Sequence, residues 1–214
     1  MKVKATRLYL ARHGQVVGHD EFRYHGHFDV ALTDKGLEQS ERLSLFLADK
    51  EIKAVYSSDL QRSVIGAGKV ASALGLSTAG ELVELRELHL GRWEGLTRAE
   101  AVAKFPEDDG FTFQDLANSK IEGGESLTDL GTRVMPAIEG IIKENQGRHI
   151  CVVAHGGVNR VILMQAMGLP VENFFRIEQD YGGLNIIDYF SDGRSIVKML
   201  NGGPNQEMGR TIIY

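Results

Sequence analysis

Leu8-Tyr9-Leu10-Ala11-Arg12-His13-Gly14-Gln15 is the stretch that decides the fold. It is an apolar run of strand length that ends abruptly in a cation, an imidazole and a glycine. A buried parallel strand delivers chemical groups to the carboxyl edge of a sheet in this way. The segment 150–157, ICVVAHGG, repeats the design near the other end of the chain. Two histidines at the ends of two such strands predict one shared site.

Composition sets the broad class of the protein. The 214 residues are 43% hydrophobic and 25% charged, which predicts one domain spanning residues 1–214 with a sizeable core. The net charge of -5, with lysine and arginine scattered along the chain, disfavours a nucleic-acid partner. We expect no membrane partner either, because no signal peptide or membrane span is visible. The lone Cys151 cannot form an intramolecular disulfide, so we expect a reducing compartment, the cytoplasm.

Strand-like and helix-like segments alternate along the chain. Residues 60–74 carry apolar side chains at helical spacing, and the spacing of Ser58 and Gln61 predicts a capping box that starts this helix. Residues 184–190 and 196–200 read as a hairpin around 191–194. This alternation predicts an α/β fold, a three-layer sandwich whose mostly parallel central sheet is flanked by helices. Residues 106–124 lack a clear period and read as a lid, within a lid-like insertion at about 96–124.

The Arg12-His13-Gly14 tripeptide after a strand, with His155-Gly156 after a late strand, resembles the histidine phosphatase superfamily. That superfamily includes the cofactor-dependent phosphoglycerate mutases and many phosphomonoesterases. The matching segments elsewhere in the chain are 26–39, 57–63, 85–96 and 123–126. The resemblance implies a phosphoglycerate mutase-like fold and a metal-independent phosphomonoesterase that works through a phosphohistidine and needs no cofactor. Its expected substrate is a small phosphate monoester, with α-ribazole phosphate as a candidate.

Phosphate-monoester hydrolysis requires a nucleophile, charge stabilisation and a proton for the leaving oxygen. A neutral imidazole can attack phosphorus, and we assign that role to His13. The planar donor forks of Arg12 and Arg62 match two phosphate oxygens each and predict a clamp. At the start of a helix, His155 and Gly156 are expected to bind the same oxygens.

The general acid is predicted to be Glu87, since the segment around it resembles the one that supplies the acid in the family. Glu84 and Glu94 are its close rivals in the sequence. A carboxylic acid in this position could protonate the departing oxygen and then take a proton from the attacking water.

The loop after the first strand is expected to contact the substrate. Its candidate residues are Gln15, His19, His25 and Gly26. Two histidines one residue apart, at 25 and 27, could instead ligate a metal, but no aspartate-rich motif with ligand spacing accompanies them, so we favour a substrate loop. The family commonly has Asn where His19 stands, and we expect His19 or His25 to replace the usual phosphate contacts.

Two other functions remain open at this stage. One is a phosphoglycerate mutase, and the other is a binding module that keeps the pocket without turnover. The segment 104–115 carries no arginine and a negative net charge, which favours hydrolysis over mutase chemistry. The sequence leaves open whether the chain forms a homodimer.

Overall fold

The computed structural model describes residues 4–205 and contains one six-stranded sheet. The strands are β1 (Thr6–Arg12), β2 (Ile52–Ser58), β3 (Gly80–Leu82), β4 (His149–Ala154), β5 (Leu184–Tyr189) and β6 (Ser195–Gly202). Their order is β3-β2-β4-β1-β5-β6. The first four strands are mutually parallel, whereas β5 runs antiparallel to both β1 and β6. The predicted α/β fold with a mostly parallel sheet and a terminal hairpin is confirmed, and β3 is a strand that sequence reasoning missed.

Five α-helices connect or follow these strands. They are α1 (Asp34–Leu47), α2 (Gln61–Ala73), α3 (Arg98–Lys104), α4 (Leu127–Glu144) and α5 (Gly156–Met167). Hydroxyl groups start three of them: Thr33 caps α1, while Thr97 and Ser126 form capping boxes at α3 and α4. Among the helices within residues 4–205, none is both long and apolar enough to cross a bilayer.

Side chains on successive positions of β1 enter opposite faces of the sheet. Leu8 and Leu10 pack against α4 and α5, whereas Tyr9 and Ala11 pack against α1 and α2. Strand β4 alternates in the same way. Because both faces of the central strands are covered, the strands read as continuous apolar runs. The predicted three-layer arrangement is therefore confirmed.

Gly14 lets the start of α1 lie directly against the end of β1. A Cβ at Gly14 would overlap the backbone of Gly36, and one at Gly36 would overlap the carbonyl of Gln15. The start of α1 can therefore lie against the end of β1 only if both positions are glycine.

The segment 96–124 is tied to the preceding loop by aromatic packing and ion pairs. It contains α3 and two short 3-10 turns, and its buried Ala101 and Ile121 pack around Trp93. The carboxylate of Asp108 accepts hydrogen bonds from Arg92 and from the Trp93 indole. Whether this segment acts as the expected lid stays a prediction.

Candidate active site

The ends of parallel strands place the predicted site residues at one edge of the sheet. Arg12 is the last residue of β1, and His13 follows it. His155 follows β4 as the N-cap of α5, and Arg62 lies in the first turn of α2, just after β2. Arg12 pairs with Ala154 in the register of β1 and β4, so the two strands end side by side.

His13 is buried, with 5% of its surface exposed, and its ring has a defined orientation. Nδ1 lies 2.7 Å from the carbonyl oxygen of Gly14. A carbonyl can only accept, so Nδ1 carries the proton and Nε2 keeps a lone pair. Burial, reinforced by the charges of Arg62 and Arg12, holds the pKa of His13 well below 6.5. The imidazole is therefore neutral at pH 7, the form that a nucleophile needs.

The ring of His155 is fully buried and contacts His13 edge to face, with 5.0 Å between ring centroids. Its Nε2 lies 2.6 Å from Oγ of Ser58 and 3.3 Å from Oγ of Ser63, while Nδ1 has no hydrogen-bond partner among the described residues. Burial is also the main cause that lowers the pKa of His155 well below 6.5, followed by the charge of Arg62.

Sequence reasoning missed the part of Ser58 in this arrangement. The spacing of Ser58 and Gln61 predicts a capping box, but α2 begins at Gln61 with Leu60 as N-cap and no side-chain cap. The hydroxyl of Ser58 lies instead against His155. The predicted capping box is therefore wrong, and the serine belongs to the site.

The two clamp arginines are held by backbone carbonyls. Arg62 is 1% exposed and donates to the carbonyl oxygens of Gly26 and Phe28 at 2.7 and 3.0 Å. Arg12 donates from Nη1 to the carbonyl of Gln179 at 2.6 Å, while its buried Nε has no partner among the described residues. These contacts fix both guanidinium planes and leave further donors free for a ligand.

A loop that sequence reasoning overlooked completes the surroundings of Arg12. Because β5 is antiparallel to β1, its amino end lies at the same edge as the carboxyl end of β1. The loop before β5 brings the ring of Tyr181 to 3.9 Å from Cζ of Arg12, and its centroid lies 5.7 Å from that of His13. The stretch 178–183 carries no sequence motif that predicts this contact with Arg12.

Glu87 reaches the site from the loop after β3. Its two carboxylate oxygens accept from the amide of Gly157 at 3.0 and 3.1 Å, and Oε1 also accepts from the amide of Leu88 at 2.8 Å. A Cβ built on Gly156 would lie 3.5 Å from Cζ of Arg12 and 3.7 Å from Oε2 of Glu87. Gly156 therefore lies between the carboxylate of Glu87 and the guanidinium of Arg12, within contact distance of both.

The rivals of Glu87 lie elsewhere. Glu84 is exposed on a 3-10 turn, and Glu94 accepts from the backbone amides of His27 and Leu90. Neither makes the contact to α5 that holds Glu87, so the geometry favours Glu87 among the three.

The predicted substrate-loop residues divide into two groups. His25 is half-buried beside the arginines, and its two ring nitrogens have no partner within residues 4–205. Burial, followed by the charge of Arg62, lowers its pKa to about 4. The carbonyl of Gly26 holds Arg62. In contrast, His19 is exposed on a 3-10 turn, and the side-chain oxygen of Gln15 accepts from Thr33.

Unpartnered buried polar atoms concentrate around this edge. Within residues 4–205 they include Nε of Arg12, both ring nitrogens of His25, Nε2 of His27 and Nδ1 of His155. Buried polar groups normally have partners, so a cluster without them indicates a place where a polar ligand binds. No group of three or more His, Cys, Asp or Glu side chains in the described part of the chain is arranged to hold a metal ion.

Curated relatives are similar to this sequence over most of its length. Bifunctional protein Rv2228c of Mycobacterium tuberculosis is 34% identical over 197 residues, which cover 92% of this chain and 54% of that protein. The chain thus spans about half the length of this relative. The glucosyl-3-phosphoglycerate phosphatase of Mycolicibacterium vanbaalenii is 32% identical over 183 residues, 80% of this chain and 79% of that protein.

A solved structure and a family model both match nearly the whole chain. The α-ribazole phosphatase from Shigella flexneri superposes with a TM-score of 0.84 at 26% identity, covering 92% of this chain and 96% of that structure. The model of the histidine phosphatase superfamily (branch 1) matches residues 8–202. With a match over nearly the whole sequence, this chain belongs to the histidine phosphatase superfamily, branch 1.

Proposed function

We propose that the protein is a metal-independent phosphomonoesterase that hydrolyses a small phosphorylated metabolite through a phosphohistidine. The observation that carries this proposal is the free Nε2 of neutral His13, buried against His155 and close to the charges of Arg12 and Arg62. A nucleophile with an available lone pair beside cationic donors suits attack on a phosphate dianion.

The first step transfers the phosphoryl group to the protein. Nε2 of His13 attacks phosphorus as the bond from phosphorus to the leaving oxygen breaks, and protonated Glu87 gives its proton to that oxygen. The clamp arginines and the Nδ1–H of His155 donate to the equatorial oxygens, where charge is concentrated. The contact between Nδ1 of His13 and the Gly14 carbonyl stabilises the cationic phosphoimidazole.

The second step returns the protein to its starting state. Water attacks phosphorus, Glu87 takes a proton from that water, and the bond between phosphorus and nitrogen breaks to regenerate neutral His13. The amide of Gly157 keeps the Glu87 carboxyl group in place through both steps. No step requires a metal ion or an organic cofactor.

The structure supports the other proposed substrate contacts to different degrees. The unpartnered nitrogens of His25 make it the strongest candidate for a substrate contact in the loop. His19 and Gln15 would need to change their positions or partners to reach a phosphate. Gly26 acts through its carbonyl by orienting Arg62. α-Ribazole phosphate remains a candidate substrate, supported by the structural likeness to an α-ribazole phosphatase.

The alternative mutase function has less support. A mutase needs further cations for a second anionic group of its substrate. Arg92 and Arg98, the arginines nearest the lid segment, are engaged with Asp108 and with the backbone carbonyls of Asp109 and Phe111.

Release of phosphate from p-nitrophenyl phosphate in the presence of EDTA tests the proposal. We expect turnover that EDTA does not reduce and that His13→Ala abolishes. Absence of turnover with p-nitrophenyl phosphate and with a panel of metabolite monoesters would contradict it and favour the binding-module alternative.

A further inference from the structure

We infer that the site selects monoesters whose leaving group is uncharged and partly apolar, and that it discriminates against phosphorylated acids and bisphosphates. This inference rests on the proposed phosphatase function and adds a substrate class to it. Two independent features carry it, namely an exposed apolar rim beside the arginine clamp and the internal pairing of the surrounding cations.

The apolar rim consists of Val17 and Phe28. Their side chains are 56% and 55% exposed, although both belong to the loop that approaches the clamp. The carbonyl of Phe28 accepts from Nη1 of Arg62 at 3.0 Å, which places the backbone of this residue next to the arginine clamp. Gly18, which follows Val17, lies beside His25: a Cβ built there would be 3.5 Å from the His25 ring.

The backbone of Phe28 holds Arg62 and its ring is exposed, so we infer that the ring can contact a bound leaving group. A leaving group that covers the apolar rim removes apolar surface from water, which contributes about 25 cal/mol per Å². An apolar leaving group therefore gains affinity from this contact, whereas a purely ionic one does not. The Phe28 ring also has the flat shape that suits stacking with another ring.

The arginines of the loop and of the segment around Glu87 are already engaged within the chain, four of them with carboxylates and Arg98 with backbone carbonyls. Every arginine of segments 16–30 and 86–133 has a partner within the chain. The set is Arg23, Arg86, Arg92, Arg98 and Arg133. Arg133 contacts the backbone of the acid, with Nη2 lying 3.3 Å from the carbonyl of Glu87, and it makes a two-point pair with Glu125 at 2.7 Å for each contact.

His25 and His27 of the loop do not supply charge either. Burial is the first cause that lowers the pKa of both His25, to about 4, and His27. Both rings are therefore neutral at pH 7 and act as hydrogen-bonding groups. A carboxylate of Asp29 lies 3.7 Å from Arg62, which adds negative potential at the rim. A second anion on the substrate would find these five arginines already engaged and would lose hydration energy.

A matched pair of substrates isolates charge from size and shape. We would compare 3-carbamoylphenyl phosphate with 3-carboxyphenyl phosphate, which differ by one carboxylate in place of an amide. The expected kcat/KM ratio is at least about tenfold in favour of the amide, the factor that about 1.4 kcal/mol of discrimination produces. Equal values, or a preference for the carboxylate, would overturn the inference while leaving the phosphatase function intact. Failure to hydrolyse p-nitrophenyl phosphate and both esters would contradict the phosphatase function itself.

Two substitutions test the two features separately. Phe28→Ala should raise KM for the carbamoyl ester several-fold and leave inhibition by inorganic phosphate unchanged. Phe22→Ala is the matched control, since Phe22 is a 74% exposed ring of the same loop whose backbone does not hold Arg62. Glu125→Gln frees Arg133 and should improve the carboxyl ester relative to the carbamoyl ester. If Phe28→Ala leaves KM for the carbamoyl ester unchanged, or raises it no more than Phe22→Ala does, the rim does not bind the leaving group. An unchanged ratio in Glu125→Gln would contradict the charge argument.

Discussion

The hydroxyl of Ser58 lies 2.6 Å from Nε2 of His155, on the side of the ring away from the unpartnered Nδ1. A phosphate oxygen can only accept a hydrogen bond, so a phosphate-binding Nδ1 must carry the proton. Nε2 of the neutral ring then has to accept from Ser58. The serine hydroxyl can donate this hydrogen bond, so the contact is compatible with the tautomer that the proposed mechanism requires.

Removing that contact should reduce activity without unfolding the protein. We expect Ser58→Ala to lower kcat/KM by roughly tenfold, the factor equivalent to about 1.4 kcal/mol, and Ser58→Thr to restore much of it. Ser57→Ala is the matched control, because the buried hydroxyl of Ser57 has no hydrogen-bond partner among the described residues. Nitrogen NMR of the His155 ring reports the tautomer directly. If both alanine variants lose the same factor in kcat/KM and the His155 spectrum is unchanged, Ser58 contributes only packing and does not set the tautomer of His155.

Gly157 positions Glu87, and an added methyl group should displace the acid. A Cβ at residue 157 would overlap Oε1 of Glu87. We expect Gly157→Ala to lower the rate at least about a hundredfold with alkyl phosphates and much less with p-nitrophenyl phosphate, since p-nitrophenolate needs little protonation. Gly140→Ala is the control, because nothing lies within 4 Å of a Cβ there. Equal losses on both substrate types would instead indicate a binding defect.

Stability should depend on pH because His13 and His155 are buried in the neutral form. Their folded-state pKa values are below 6.5, so between those values and 6.5 the unfolded chain binds more protons than the folded chain. The free energy of unfolding therefore falls as pH falls, by about 1 kcal/mol for each histidine between pH 7 and 5.5. Urea titrations at the two pH values measure this. His13→Asn should make the pH dependence shallower, and an unchanged slope in that variant would refute the buried-neutral assignment.

How far the sequence predicted this site depends on where each residue lies along its strand. Arg12, His13 and His155 lie at the ends of apolar strands, so their meeting at one edge of the sheet could be predicted from the pattern. Tyr181 could not be predicted, because it reaches the same edge only through the antiparallel pairing of β5 with β1. Ser58 was misread because serine near a helix start has the same local spacing whether it caps the helix or contacts a distant histidine.

The loop between β1 and α1 was predicted less well for a related reason. It lacks periodicity, so the sequence cannot tell which of its side chains turn inward. His25 lies beside Arg62, while His19 is exposed on a 3-10 turn that begins and ends with residues of positive φ, Gly18 and Phe22. The sequence leaves residues 201–214 unassigned; the structure places 201 and 202 at the end of β6, and the residues from 206 onward lie outside the described part of the chain.

Mutase activity should be negligible. Arg23, Arg92 and Arg98, the cations that a mutase could have used, are engaged with acidic side chains or with backbone carbonyls. We therefore expect no significant interconversion of 3-phosphoglycerate and 2-phosphoglycerate, even after priming with 2,3-bisphosphoglycerate. A coupled enolase assay run beside a phosphate-release assay measures both activities. Interconversion faster than phosphate release would show that one of these arginines leaves its partner when substrate binds.

The phosphoenzyme itself tests the account most directly. The wild-type protein should be mixed with ³²P-labelled monoester and quenched rapidly in alkali or in acid, with His13→Ala treated in parallel. Because Nε2 of His13 is the free nitrogen of a neutral ring, we expect label that survives alkali, is lost in acid and maps to His13. The variant should carry none. Label on a serine or aspartate, or an equally labelled and active His13→Ala variant, would contradict the proposal that this protein works through a phosphohistidine.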